Sequence, residues 1–226
     1  RFFMEQKQCP WDRLEPSQLT FCEEKLCSWV VKPAETYSNI SFALVGVLVI
    51  HLARKQKQLH LAPIGIIAII LGIFSGFFHA SGTRFGGWLD ISSMYLITGT
   101  GIAYNLRRLK GAKILPSMLM VFIPSALLGY FYEWSRLVLF GLQVLGVLSL
   151  EYLIYKKTKK KIHYRDLKIM LAIFSVAWAV WWLDLTKTWC DPSNHVFNGH
   201  ALWHLMTGTT FYFIYRFYAQ FQELRD

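Results

Sequence analysis

The chain has 226 residues and a formal net charge of +10, yet only 17% of its residues are charged, while 54% are hydrophobic and 16% aromatic. Soluble domains carry about 25% charged residues, and a mean hydropathy of +0.32 is high for a chain that must live in water. The basic excess does not mark a nucleic-acid binder either, because it is gathered into a few connections between apolar segments.

Residues 1–35 form a polar tail without the apolar core of a cleavable signal peptide. The tail holds Cys9, Cys22 and Cys27, five basic residues and six acidic ones: Glu5, Asp12, Glu15, Glu23, Glu24 and Glu35. Seven apolar segments follow, Thr36–Ala53, Leu61–Ala80, Trp88–Leu106, Ile114–Tyr132, Leu137–Tyr155, Ile169–Leu185 and His200–Ala219. Each is close to the ~20 residues a helix needs to cross a ~30 Å hydrocarbon core. They are too long and continuous for buried strands, and helices satisfy their own backbone groups in lipid. The reading is therefore an all-α integral membrane protein, one seven-helix bundle over residues 1–226 with residues 1–35 packed near one mouth.

Charge then orients the bundle. The connections after the first, third and fifth segments carry Arg54, Lys55 and Lys57; Arg107, Arg108, Lys110 and Lys113; and a run from Lys156 to Lys161 followed by Arg165 and Lys168. Those on the other side carry only Arg84, Arg136 and Lys187. Basic loops stay in the cytoplasm, so the C-terminus is expected there and the N-terminal tail outside, with the lysine run also disposed to meet anionic lipid. All four cysteines, Cys9, Cys22, Cys27 and Cys190, then fall on the extracytoplasmic side, where thiols pair. With no Cys-x-x-Cys spacing, a zinc knuckle is not indicated.

Polar residues inside membrane segments are costly and point to function. The second segment delivers Ser75 and His79 to the extracytoplasmic side, the third starts there with Asp90, and the seventh starts there with His200 and His204. Ser75 and His79 share a helix face at i,i+4, as do His200 and His204. Three imidazoles and a carboxylate thus meet at one depth from topology alone. Two histidines on one helix and a third from another is the ligand set of a catalytic zinc site with an open fourth position. Asp90 is placed to hold a ligand or take a proton from water, and Ser75 to polarise a carbonyl or to bond back to its own helix. His51, His60, His163 and His195 read as structural or surface residues.

The run Ser75-x3-His79-x10-Asp90 followed by Gly199-His200-Ala201-x2-His204 resembles the alkaline ceramidases. It is the shared signature of a wider group that includes adiponectin-type receptors and GPI-remodelling hydrolases. Phe21-Cys22-Glu23-Glu24, Pro33-Ala34-Glu35-Thr36-Tyr37-Ser38-Asn39 and Cys190-Asp191-Pro192 are closer to the ceramidase branch. The resemblance implies a zinc-dependent amidohydrolase acting on a ceramide-like lipid of the bilayer, with Asp90 as base and Ser75 supporting the oxyanion. It also implies the disulfide Cys22–Cys190, leaving Cys9 with Cys27. A calcium site is implied at Thr20, Phe21 (through its carbonyl), Glu23, Lys25 and Glu35, with two departures: the family has Asp where Thr20 stands and Asn where Lys25 stands. Calcium takes six to eight oxygens, so the alternative is a lysine ammonium lying between Glu23 and Glu35. A receptor or scaffold and an ester-lipid hydrolase are the other function classes in view, and the sequence is silent on oligomeric state.

Overall fold

The computed structural model describes residues 8–158 and 161–225; Lys159 and Lys160 of the basic run and Glu5 of the tail lie outside the described residues. Helices run in the order α1 (Pro33–Tyr37), α2 (Ile40–Lys55), α3 (Ala62–Ser81), α4 (Arg84–Lys110), α5 (Ile114–Phe131), α6 (Ser135–Lys157), α7 (Arg165–Leu185) and α8 (Gly199–Tyr218). The first expected segment is divided because Ser38 and Asn39 turn their side chains onto the Glu35 carbonyl, at 3.0 and 2.8 Å, an alternative to regular helix pairing. Helix α4 outruns its apolar segment at both ends. Thr83 caps it by accepting from the Gly86 amide at 3.1 Å, which lets helix begin in polar sequence.

Among the described residues, five stretches are long and apolar enough to cross a membrane: Pro33–Lys55, Leu59–Ser81, Ile114–Phe131, Ser135–Lys157 and Arg165–Leu185. The other two expected crossings correspond to α4 and α8, which have the length, 27 and 20 residues, but a more polar composition. That polarity is turned inward: Ser92, Ser93, Thr98, Thr100 and Asn105 of α4 and His200, His204, Thr207 and Thr210 of α8 are all buried. Leu44, Val47, Ile73, Leu142, Leu145 and Trp182 point the other way, each more than half exposed. Apolar outside and polar inside is the distribution lipid selects.

Helix α2 packs on α3, α3 on α4, α4 on α5 and α6, α7 on α8, and α8 back on α2. The α2–α3 crossing is tight because Gly46 and Gly65 face each other, and a Cβ on Gly46 would lie 2.6 Å from the Gly65 carbonyl oxygen. Small residues let backbones approach in this way. At the α3–α4 corner, Gly82 takes φ +64°, the left-handed conformation that reverses the chain after a helix, and Thr83 starts α4 at once. His79 and Asp90 are thereby brought to the same end of the bundle. The opposite end closes on a buried Arg108–Glu151 ion pair, to which Tyr164 donates at 2.9 Å.

The tail folds back over the histidine end. Disulfides join Cys9 to Cys27 and Cys22 to Cys190, the pairing that the resemblance implies. Pro16 bridges to Thr83, and the Glu133 carboxylate accepts from the Ser17 hydroxyl and the Gln18 amide, both at 3.2 Å.

Candidate metal centre

His79 sits in the last turn of α3, His200 and His204 in the first two turns of α8. The start of α8 is fixed by Asn198, whose side-chain oxygen accepts from the Ala201 amide at 2.8 Å. One potential ligand atom from each histidine lies within 4.8 Å of the others. The ring centroids are 4.6–4.9 Å apart, and each residue is no more than 3% exposed.

Each outer contact settles which nitrogen is left over. His79 Nδ1 is 2.7 Å from Glu35 Oε2, and His204 Nδ1 is 2.8 Å from the Ser38 hydroxyl. His79 Nε2 and His200 Nδ1 are buried with no hydrogen-bond partner among the described residues. Unpaired buried nitrogens in a native interior call for an explanation. Three clustered imidazoles, two of them held on their far sides by a carboxylate and a hydroxyl, suit a zinc ion. The residues fit that metal.

Asp90 and Ser75 join His200 and His204 around one cavity of about 390 Å³. The Ser75 hydroxyl is a hydrogen-bonding neighbour of the Asp90 carboxyl, with the Arg136 guanidinium the nearby charge. The cavity runs on between apolar walls that include Met94, Phe140, Val144, Leu171 and Phe174, and it reaches Asn105 and Glu151 at the far end. Helices α6 and α7 both line it without packing closely on each other. Ser17, Gln18 and Leu19 of the tail line its histidine end.

The residues of the expected calcium site are spread over other tasks. Thr20 is exposed. The Phe21 ring lies on His200, centroid to centroid 3.7 Å. Glu23 accepts from the amides of Ala34 and Glu35 at 3.1 and 3.0 Å, holding the start of α1, and its oxygens also meet His195 Nδ1 at 2.9 Å and the Asn198 amide at 3.4 Å. Both Glu35 oxygens are taken by a lysine, but by Lys32, at 3.1 and 3.2 Å. Lys25 is exposed instead, where burial of its stem and the Lys32 ammonium nearby lower its pKa. This donor set does not fit calcium, and the expected internal ammonium is displaced by seven residues because Lys32, not Lys25, is the one that turns inward.

Two further residues escaped the sequence reading. Asp184, fully buried, accepts from the amides of Cys22 and His200, both at 2.9 Å, and so ties the tail to the start of α8. An acid near the end of an apolar segment was a signal for it. Ser38 carries no comparable signal. His195 is structural, as expected, through Glu23.

The family profile described as Ceramidase matches residues 14–225. Two relatives are both named alkaline ceramidase 1. The Homo sapiens protein is 24% identical over 212 residues, covering 87% of this chain and 80% of its own length. The Mus musculus protein is 24% identical over 213 residues, covering 87% of this chain and 77% of its own.

Proposed function

The chain belongs to the ceramidase family, and from that premise we propose that it is a zinc-dependent intramembrane hydrolase cleaving the amide of a ceramide-like lipid into fatty acid and sphingoid base. The family and its alkaline ceramidase relatives support lipid amide hydrolysis in a multi-pass membrane protein. One observation carries the finer reading: two unpartnered buried imidazole nitrogens within a three-histidine cluster, beside Asp90 and Ser75, at the head of an apolar cavity.

His79, His200 and His204 would hold the ion. When bound, zinc supplies a Lewis acid that makes water nucleophilic near neutral pH and polarises a carbonyl, which an amide needs because resonance makes it a poor electrophile. The chain's own residues do the rest. Asp90 accepts a proton from the attacking water and passes it to the nitrogen as the C–N bond breaks, so the leaving group departs as a neutral amine, and the remaining proton of the new carboxylic acid then passes to that amine to give carboxylate and ammonium. Ser75 donates to the carbonyl oxygen as charge builds on it. The apolar walls take the lipid's chains, which enter sideways between α6 and α7. We read the bundle as a single domain crossing the membrane seven times, tail extracytoplasmic and C-terminus cytoplasmic. In support, Arg54, Lys55, Arg107 and Arg108 stand at the ends of α2 and α4 remote from the histidines.

The test is detergent-solubilised protein given labelled ceramide, phospholipid and acyl-ester lipids in parallel. Fatty acid released from ceramide by the wild type, and lost in His79→Ala and Asp90→Ala, is expected. Turnover of ester lipids alone assigns the site to an ester hydrolase. Turnover of none of them leaves the receptor reading.

A further inference from the structure

The N-terminal tail places a charged chain of groups behind the histidine cluster that the proposed chemistry does not use. Lys32, immediately before α1, is 4% exposed, and its ammonium touches both oxygens of Glu35. Glu35 is fully buried and reaches His79 Nδ1. The same ammonium stands 5.5 Å above the ring of Phe21, the ring stacked on His200. One buried cation is therefore linked to two of the three histidines, through a carboxylate to one and through an aromatic face to the other. A buried ammonium is costly unless it is paired, so its retention here asks for a reason.

The reason lies in what Glu35 has to do. For His79 to offer Nε2 inward, Nδ1 must carry the proton and point it at an acceptor. Glu35 is that acceptor, and Glu23 fixes its backbone by accepting from the Ala34 and Glu35 amides. A lone carboxylate buried at this point would draw any cation to itself and tilt towards it. Lys32, three residues before Glu35 on the same short turn, neutralises it by donating to both carboxylate oxygens, so that Oε2 is shared between the ammonium and the imidazole and its position is fixed.

Resting on the zinc reading above, we propose that Lys32 is a positioning residue, a built-in cation that orients Glu35 and through it His79. It takes the place of a second bound metal, so the protein needs no calcium.

The experiment measures zinc affinity by competition with a chromogenic chelator, on wild type, Lys32→Met and the double variant Lys32→Met/Glu35→Gln, with melting of the zinc-free proteins recorded alongside. Removing an outer partner of a metal-bound histidine costs about 10–100-fold in affinity, and that loss is expected for Lys32→Met. The double variant buries no unpaired charge and is expected to melt near wild type while keeping the weak zinc binding. Were the pair merely structural, the double variant would regain both. Wild-type affinity in either variant overturns the proposal, as does a rise in the wild type's melting temperature on adding millimolar calcium. A wild type that binds no zinc refutes the parent reading instead.

Discussion

Replacing Asp184 by alanine removes the acceptor of two buried amides at once, that of Cys22 in the tail and that of His200 at the start of α8. A buried donor left without a partner costs about 1–3 kcal/mol, so two cost roughly 2–6 kcal/mol, in a residue with no exposed surface to let water in. At roughly 2–4 °C per kcal/mol for a chain of this size, the melting temperature should fall by about 4–24 °C. Asparagine keeps one carbonyl oxygen and turns an N–H₂ on the other amide, so Asp184→Asn should fall between alanine and wild type. Because His200 is one of the proposed zinc ligands, both variants should also release zinc faster. The assay is thermal unfolding in detergent with and without zinc, beside zinc loss to a chelator. Wild-type melting and zinc retention in Asp184→Ala would refute the claim that this carboxylate joins the tail to the metal helix.

Removing the disulfide between Cys22 and Cys190 with the double alanine variant should lower stability by about 2–4 kcal/mol, read as a drop in melting temperature that the wild type reproduces under reducing conditions. Ser75→Ala should leave zinc content intact and lower kcat by about 10²–10³, checked by turnover at saturating lipid; loss of the metal instead would make Ser75 a structural residue. Lys25 has its pKa lowered by burial of its stem and by Lys32, so the unfolded chain binds its proton more tightly than the native one. Stability should therefore rise with pH through the alkaline window just below the ordinary lysine pKa of about 10.4. Lys25→Met should melt higher than wild type at neutral pH, and the gap should close as that window is crossed.

The histidine cluster was legible because two signals coincide. His200 and His204 are spaced for one helix face, and counting apolar segments returns His79 and Asp90 to the same side of the membrane. The helix bodies were legible for the same reason, since hydropathy follows lipid-facing surface. It fails where that surface is interrupted: α4 begins at Arg84 on a threonine cap, and Ser38 and Asn39 divide the first segment by bonding to the Glu35 carbonyl. The arrangement behind the histidines was not legible. Lys25 lies two residues from Glu23 and Lys32 three from Glu35, and only the fold of the tail, set by Cys22–Cys190 and the Glu23 contacts, decides which one turns inward. Such a choice rests on long-range packing, which leaves no period in the sequence. Asp184 lies between the two cases, since an intramembrane acid is a visible anomaly whose partners, backbone amides 162 and 16 residues away, are not.

The proposed function has three histidines holding one zinc that this chain uses to cut a lipid amide. Its most direct test strips the purified protein of metal, titrates zinc back, and follows fatty acid released from labelled ceramide at each addition. Activity should be absent at the start, rise in proportion to zinc, and level off at about one ion per chain, as expected of a single three-histidine catalytic site. Full turnover before any zinc is added, or no turnover at any zinc level in protein that remains folded, would contradict the account.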